Sequence, residues 1–532
     1  MLPMVASAWV RDLWAPDEPR YAQVAREIFE GGDFLVMHLC GELYPDKPPL
    51  LFWLSGLFGW LSGWSELWMR MPNLIATFLT AWLIAGLARR WWGDVEASWS
   101  AAVYLTFAMV VEIGGRLQID PLLTLSCVFA LYAFTNPAAE ARIRTRWILL
   151  GGLAMGIGAL AKGPLVHVNV LFVLLVWRLA GLRPEGARVR AWVWPTALLL
   201  SVTPVLGWAV AASLADHRLF EALFFDQHVG RVTKADRHPG PWWKHAAHLL
   251  PLMLPWTFAT LAGLGAAWRE FRRRRDEAAD LDLVRVGLWF AVLFVFFSAI
   301  PPKRPLYLLP AYPALALVTA RFLVVRARDG GLPRWMGWAT CLTLTAVGGL
   351  LCAVGVLRPD ELPGLTWRGG IMGAVLVVGS LLALRFFRRG DHDRWARSLA
   401  VSWVVLTTLL AVLVFSVINP MKSGRLLAAE INALEQRPQK IPCLGRRPVT
   451  GVRPEAYRFY GGLPTVAADE LAPHRERDGA DFVGMVLRRQ WDAMPEEERA
   501  SMRVLLERTV GSKDILVLGA APPDHDETLP VR

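Results

Sequence analysis

The sequence predicts a polytopic α-helical membrane protein with short helices lying along its exterior membrane boundary and a small α/β exterior domain at its C-terminal end. Three observations predict it. Of the 532 residues, 54% are hydrophobic and only 19% are charged, and the apolar residues gather into runs near the ~20 residues that a bilayer crossing needs. The basic residues fall mainly in short connections between those runs. After residue 419 the apolar runs stop.

From the N-terminus, "MLPMVASAWV" is too short an apolar region for a secretory signal, and its first arginine follows rather than precedes it. The next stretch, "LWAPDEPRYAQVAREIFEGGDF", holds a short amphipathic helix. Asp17 is placed to cap it, Pro19 sits in its first turn, and Gly31-Gly32 stop it. Tyr21, Val24, Ala25, Ile28 and Phe29 form an apolar stripe at helical spacing, which suits a helix in the interface plane. Residues 48–63, "PPLLFWLSGLFGWLSG", form a second interfacial or re-entrant helix.

Candidate spans follow at 68–90, 96–113, 119–135, 146–161, 164–180, 193–213, 248–268, 283–300, 306–325, 335–357, 369–387 and 397–418, about twelve in all. The connections "ARRWWGD", "RIRTR", "RLAGLRPEGARVR", "REFRRRRDE", "RARDGGLPR" and "RFFRRGDHDRWAR" are rich in arginine and recur at every second turn. They are assigned to the cytoplasm because basic loops are retained on that side. The net charge of +11 therefore reads as an orientation signal rather than a nucleic-acid surface. The alternate joints are exterior: 11–67, those near 114–119 and 162–164, 214–247, 301–305, 358–368 and the tail 420–532. In that tail "DFVGMVL" and "DILVLG" read as strands and "AMPEEERASMRVLLERT" as helix. Residues 1–419 thus form the transmembrane part and 420–532 the exterior domain. Tryptophans suit both interface belts and packing between helices. The five cysteines show no metal-type spacing; Cys40 and Cys443, outside the membrane, read as free thiols, with a bond between them as the alternative.

Cations on the exterior work against the orientation rule and so point to function. They are Lys47 in "YPDKPPLLFW", Lys162 in "LAKGP", Arg231 in "DQHVGR", and Lys303 and Arg304 in "IPPKRPLYLLP". Snorkelling of long side chains from helix ends is the plain alternative for any one of them. Four loops each offering a cation, beside acids and Tyr307, favour a shared anion site for a lipid phosphate. Asp17, Glu18, Asp46 and Asp120 lie on the same face. Asp120, followed by Pro121 in "GGRLQIDPLLTL", also suits a helix N-cap, and His228 with Asp226 nearby suits either part of a metal site or a solvated loop.

In order, "LWAPDEPRYAQVAREIFEGGDFLVMHLCGELYPDKPPLLFWL", "QIDPLLTL", "AKGPL", "FFDQHVGRVTKADRHPGPWWKH" and "KRPLYLLPAYPALAL" resemble the membrane glycosyltransferases of the aminoarabinose lipid A transferase type. These belong to the protein O-mannosyltransferase-like superfamily with the GT-C fold. The resemblance implies that Asp17 is the catalytic carboxylate, with Glu18, Arg20 and Tyr21 shaping its loop, and that Asp120 is a second active-site acid. It implies that Lys47, Arg231 and Tyr307 hold the phosphate of a polyprenyl-phosphate sugar donor, with Lys162 and Lys303 nearby. No cofactor is required by it except, where present, a divalent metal held in the family by a histidine and a glutamate. Here those positions are His228 and Asp46, the latter one methylene shorter. The family also has a full span before the "PDE" loop, where this sequence has about a dozen residues, so either the start is assigned too late or the first helix of the family is missing here.

The chemistry expected is single-step transfer with inversion from a lipid phosphate to an envelope acceptor: lipid A, another glycolipid, a polysaccharide or a protein. The setting is the exterior face of a bacterial inner membrane. A phosphate leaving group calls for cations, and an attacking hydroxyl calls for a carboxylate. No nucleotide-binding glycine motif is present, in keeping with a lipid-linked donor. A lipid-phosphate flippase is the alternative; it would show ionisable residues in mid-span and helices broken at the midplane.

Overall fold

The structure, a computed structural model, describes residues 1–182, 186–221, 240–276, 278–329, 331–357, 366–436, 438–445 and 452–521. The chain divides into two compact units, Met1–Val10 with Pro45–Phe415, and Arg11–Tyr44 with Ser416–Arg532.

The first unit is helical. Among the described residues eight helices are long and apolar enough to cross a membrane: Glu66–Trp91, Ala141–Lys162, Val193–Ala215, Leu281–Ala299, Pro305–Arg328, Arg334–Ala353, Thr366–Arg388 and His392–Lys422. A ninth is the pair Asp94–Thr106 and Ala108–Gly114, bent by 65°. Leu50–Leu61, Asp120–Phe134 and Leu165–Leu179 are apolar but shorter. The span expected over 248–268 is divided into Lys244–Leu252 and Thr257–Arg272. Pro251 and Pro255 lie at the division, and neither has an N–H to continue the helical ladder. The tryptophans serve both expected purposes. Trp177, Trp256, Trp289 and Trp395 are fully buried, whereas Trp9, Trp60, Trp82 and Trp268 are largely exposed.

Close helix contact in this unit depends on small residues. A Cβ on Gly152 would lie 2.3 Å from the Ala197 carbonyl oxygen, and one on Gly156 would lie 2.5 Å from that of Leu200. This four-residue spacing lets the Ala141–Lys162 and Val193–Ala215 backbones touch, the usual basis of helix association in lipid. Glu96, almost fully buried, pairs with Arg321 at 2.8 Å, and Arg321 pairs with Asp280 at 2.8 Å. That chain of charges ties the Asp94–Thr106 helix to the Tyr312–Arg328 helix.

The second unit combines the N-terminal stretch Arg11–Tyr44 with the C-terminal α/β segment. It holds a short antiparallel pair, β1 His38–Leu39 and β2 Glu42–Leu43, and a five-stranded sheet of order β4-β3-β5-β7-β6, with β3 Ile441–Leu444, β4 Thr465–Ala468, β5 Val483–Leu487, β6 Met502–Val510 and β7 Lys513–Ala520. β3 runs parallel to β4 and β5, and β7 runs antiparallel to β5 and β6. The central β5 is buried along its whole length, as "VGMVL" requires. Met502–Val510 lies largely inside the stretch expected to be helical, but forms a hairpin strand around Gly511. Cys40 and Cys443 are both buried and unbonded to each other.

The Glu18–Gly31 helix forms as its sequence predicts. Gly32 closes it at φ 74° and donates its N–H to the Ile28 carbonyl, a left-handed conformation that glycine adopts without strain. Two expectations for it are corrected. Asp17 makes no side-chain capping bond. The stripe of Tyr21, Val24, Ala25 and Ile28 is buried in protein, with the helix packed against the Pro454–Gly461 helix, rather than left to face lipid. Apolar stripes bury against whichever apolar partner is nearest, and here the C-terminal segment supplies it.

Candidate active site

In the helical unit three of the expected residues meet. The Asp120–Phe134 helix begins at Asp120, and the Ala141–Lys162 helix ends at Lys162, where Gly163 at φ 67° and Pro164 turn the chain. Lys162 Nζ donates to Asp120 Oδ1 at 2.5 Å, with the two side chains 15% and 6% exposed. Asp120, expected as a helix cap, makes no capping bond and spends its charge on this pair. The same ammonium lies 5.2 Å from the centre of the Tyr307 ring. Tyr307 stands in the 3₁₀ turn Pro305–Ala311, with Phe297 packed 6.0 Å away between ring centres. The result is a carboxylate, an ammonium and a phenol gathered from three distant stretches of sequence.

The approach to Asp120 is held from behind. Buried Asn73 donates from Nδ2 to the carbonyls of Arg116 at 2.5 Å and Gln118 at 2.6 Å. Gly114 and Gly115 allow close contact: a Cβ on either would come within 2.8 Å of Met4.

Lys303 is 3% exposed and its Nζ donates to the Ile300 carbonyl. It belongs to a cluster of bases that sequence reasoning missed. A Cβ on Gly240 would touch both Lys244 at 2.7 Å and Lys303 at 3.0 Å, and His245 lies fully buried with its ring 6.4 Å from that of His248. Burial first, then Lys303, His248 and Lys244, push His245 down to about 4. The signal was present in "PWWKHAAH" as bases at helical spacing, but their partner Lys303 is remote in sequence. Asp46 and Lys47 are half-buried at the start of the same unit's second segment. Arg231 and His228 lie outside the described residues. No group of three or more His, Cys, Asp or Glu able to hold a metal ion occurs among the described residues.

In the second unit the loop carrying Asp17 is closed on itself and onto the C-terminal segment. Arg11 and Glu18, with side chains 0% and 2% exposed, pair at 3.4 Å, and Glu18 Oε2 accepts the Trp14 N–H at 3.3 Å. Glu18 therefore shapes the loop. Arg20 pairs with Glu455 at 3.7 Å. Burial opposes its charge, but Tyr44, Glu455, Asp17 and Tyr21 outweigh that and raise its pKa. Tyr21 is buried on the helix behind.

Comparisons with known proteins show the family and the fold. Residues 46–208 match the family model described as dolichyl-phosphate-mannose-protein mannosyltransferase. The undecaprenyl phosphate-alpha-4-amino-4-deoxy-L-arabinose arabinosyl transferase of Pseudomonas aeruginosa (strain UCBPP-PA14) is 30% identical over 437 residues, spanning 79% of this chain and 76% of the relative. The protein of that name in Serratia proteamaculans (strain 568) is 28% identical over 426 residues, spanning 77% and 73%. Among solved structures, ArnT from Cupriavidus metallidurans bound to undecaprenyl phosphate superposes with a TM-score of 0.76 at 19% identity, covering 97% of this chain and 96% of that one. The apo form of that protein gives 0.75 at 20% identity. These likenesses show the GT-C fold. The chain belongs to the undecaprenyl phosphate-aminoarabinose arabinosyl transferase family and is a multi-span membrane glycosyltransferase.

Proposed function

We propose that this chain transfers aminoarabinose, or a closely related sugar, from undecaprenyl phosphate to a lipid A-type glycolipid on the periplasmic face of a bacterial inner membrane. The observation that carries the reading is the meeting of Asp120, Lys162 and Tyr307, three residues that the family resemblance had marked independently.

The sugar leaves through its bond to the lipid phosphate, so the reaction needs cations where negative charge grows on that phosphate. Lys47, Arg231 and Tyr307 are assigned to bind it, with Lys303 adding positive charge. Lys162 carries one of its three donors to Asp120 and is thereby fixed in direction. Asp120 is assigned as the anchor that orients Lys162. The acceptor oxygen attacks the anomeric carbon from the face opposite the departing phosphate, which inverts that carbon in one step. Where the acceptor is a hydroxyl, Asp17 takes its proton as the new C–O bond forms and the old one breaks. Should a divalent metal bind, Asp46 and His228 are the residues assigned to hold it, and no step requires it.

Purified chain incubated with undecaprenyl phosphate-aminoarabinose and lipid A is expected to yield lipid A heavier by one sugar, read by mass spectrometry. Asp17→Asn is expected to abolish that product while retaining donor binding. Wild-type turnover by Asp17→Asn would refute the assignment of the base, and absence of product from the unaltered chain with this donor would refute the choice of sugar or acceptor.

A further inference from the structure

We propose that Arg453 and Glu455, in the C-terminal α/β segment, are positioning residues for Asp17, so that this segment is part of the catalytic apparatus rather than an appendage. The inference rests on the reading of Asp17 as the base.

Asp17 stands on a stretch that makes no regular secondary structure until Glu18. A loop of this kind is ordered only if its backbone groups find fixed partners. The residue before Asp17 and the residue three after it are both held from one place. The Pro16 carbonyl accepts from Arg453 Nη1 at 2.9 Å, and Arg20 pairs with Glu455, itself 5% exposed, at 3.7 Å. Arg453 and Glu455 flank Pro454, where the Pro454–Gly461 helix begins. The same helix reaches further back along the loop, because Tyr460 Oη accepts the Leu13 N–H at 2.6 Å. Asn419 Oδ1 accepts both the Asp12 N–H at 3.1 Å and the Trp14 indole N–H at 2.9 Å.

The charges are arranged to match. Arg453 interacts electrostatically with Arg20, Glu455 and Asp17, and Glu455 is attracted to Arg20, Arg453 and Lys513 alike. Removing Glu455 would leave two guanidinium groups facing each other and release Arg20 from its anchor. Removing Arg453 would free the Pro16 carbonyl next to the catalytic group. A base displaced by about 1 Å can cost about a hundredfold in rate without weakening substrate binding. The loss should therefore fall on kcat and spare KM.

The test uses the full-length chain in detergent, comparing Arg453→Ala, Arg453→Lys, Glu455→Gln and Tyr460→Phe by kcat and KM for the polyprenyl-phosphate donor, each normalised to folded protein. Arg453→Ala and Glu455→Gln are expected to lower kcat about ten- to a hundredfold with KM for the donor changed less than about threefold. Arg453→Lys, which restores a donor and a charge, should recover part of the loss. Should Arg453→Ala not fold, Tyr460→Phe carries the same test with a drop of several-fold. An inactive Asp17→Asn together with unchanged kcat in Arg453→Ala, Glu455→Gln and Tyr460→Phe overturns this inference alone. Activity in Asp17→Asn overturns the assignment of the base and this inference with it.

Discussion

Asp120 and Asp17 carry the two acids assigned to the reaction, yet they are held by opposite means. Asp120 begins a helix and meets Lys162 at the end of another, so both side chains are placed by elements whose ends are fixed by their own sequence. Asp17 lies on a loop whose polar groups are met by Asn419, Arg453, Glu455 and Tyr460, more than 400 residues away in sequence. The first arrangement is rigid because helices are rigid. The second is only as rigid as the distant segment that grips it, so remote substitutions can reach the Asp17 loop.

The comparison can be broken most forcefully at the first acid. Lys162→Ala leaves Asp120 buried without its cation, and unfolding of the detergent-solubilised chain is expected to become easier by about 3–5 kcal/mol. Adding Asp120→Asn should recover much of that loss, since the uncompensated charge is then gone; no recovery in the double variant would mean that the pair is not what stabilises the site.

A smaller effect is expected in the loop. Glu18→Ala removes both the partner of Arg11 and the acceptor for the Trp14 N–H, at a cost of about 3 kcal/mol in stability. Glu18→Gln retains the acceptor and should cost less. Equal losses from the two substitutions would assign the whole effect to the ion pair, and no loss would show that the loop is held from outside alone.

The smallest effect separates the base cluster from both acids. His245 has its pKa lowered from 6.5 to about 4, so the folded chain binds its proton less readily than the unfolded chain does. Stability is therefore fully present above pH 6.5 and declines as pH falls from 6.5 towards 4. Thermal unfolding of wild type and His245→Phe at pH 7 and pH 5 should show a smaller acid-induced decline in the variant. An identical decline in both would place the acid sensitivity elsewhere.

Much of this architecture was legible in the sequence, for reasons that differ from residue to residue. Gly31-Gly32 marked a helix end because a left-handed turn favours glycine, and the structure puts Gly32 in that turn. Asp120-Pro121 marked a helix start because proline fits the first turn. Lys162 was visible as a cation expected on the exterior, which the orientation rule makes unusual, and Tyr307 as the aromatic beside Lys303 and Arg304. By contrast, Arg453, Glu455 and Asn73 carried no such mark. Each is an ordinary residue in an ordinary stretch, and its importance comes entirely from a partner in another segment.

By itself the sequence determined the membrane class, the positions of most apolar helices, the separate character of the C-terminal segment and the family to which the chain belongs. These follow from composition, periodicity and ordered motifs, all of which are local properties of the chain. Only the tertiary structure decided that Asp120 is paired rather than capping, that the stripe of the Glu18–Gly31 helix is buried in protein, and that the Asp17 loop is anchored by Arg453 and Glu455. Such pairings join residues tens to hundreds of positions apart. Short-range periodicity carries no information about them, because which apolar face or charge meets which is settled only when the chain is packed.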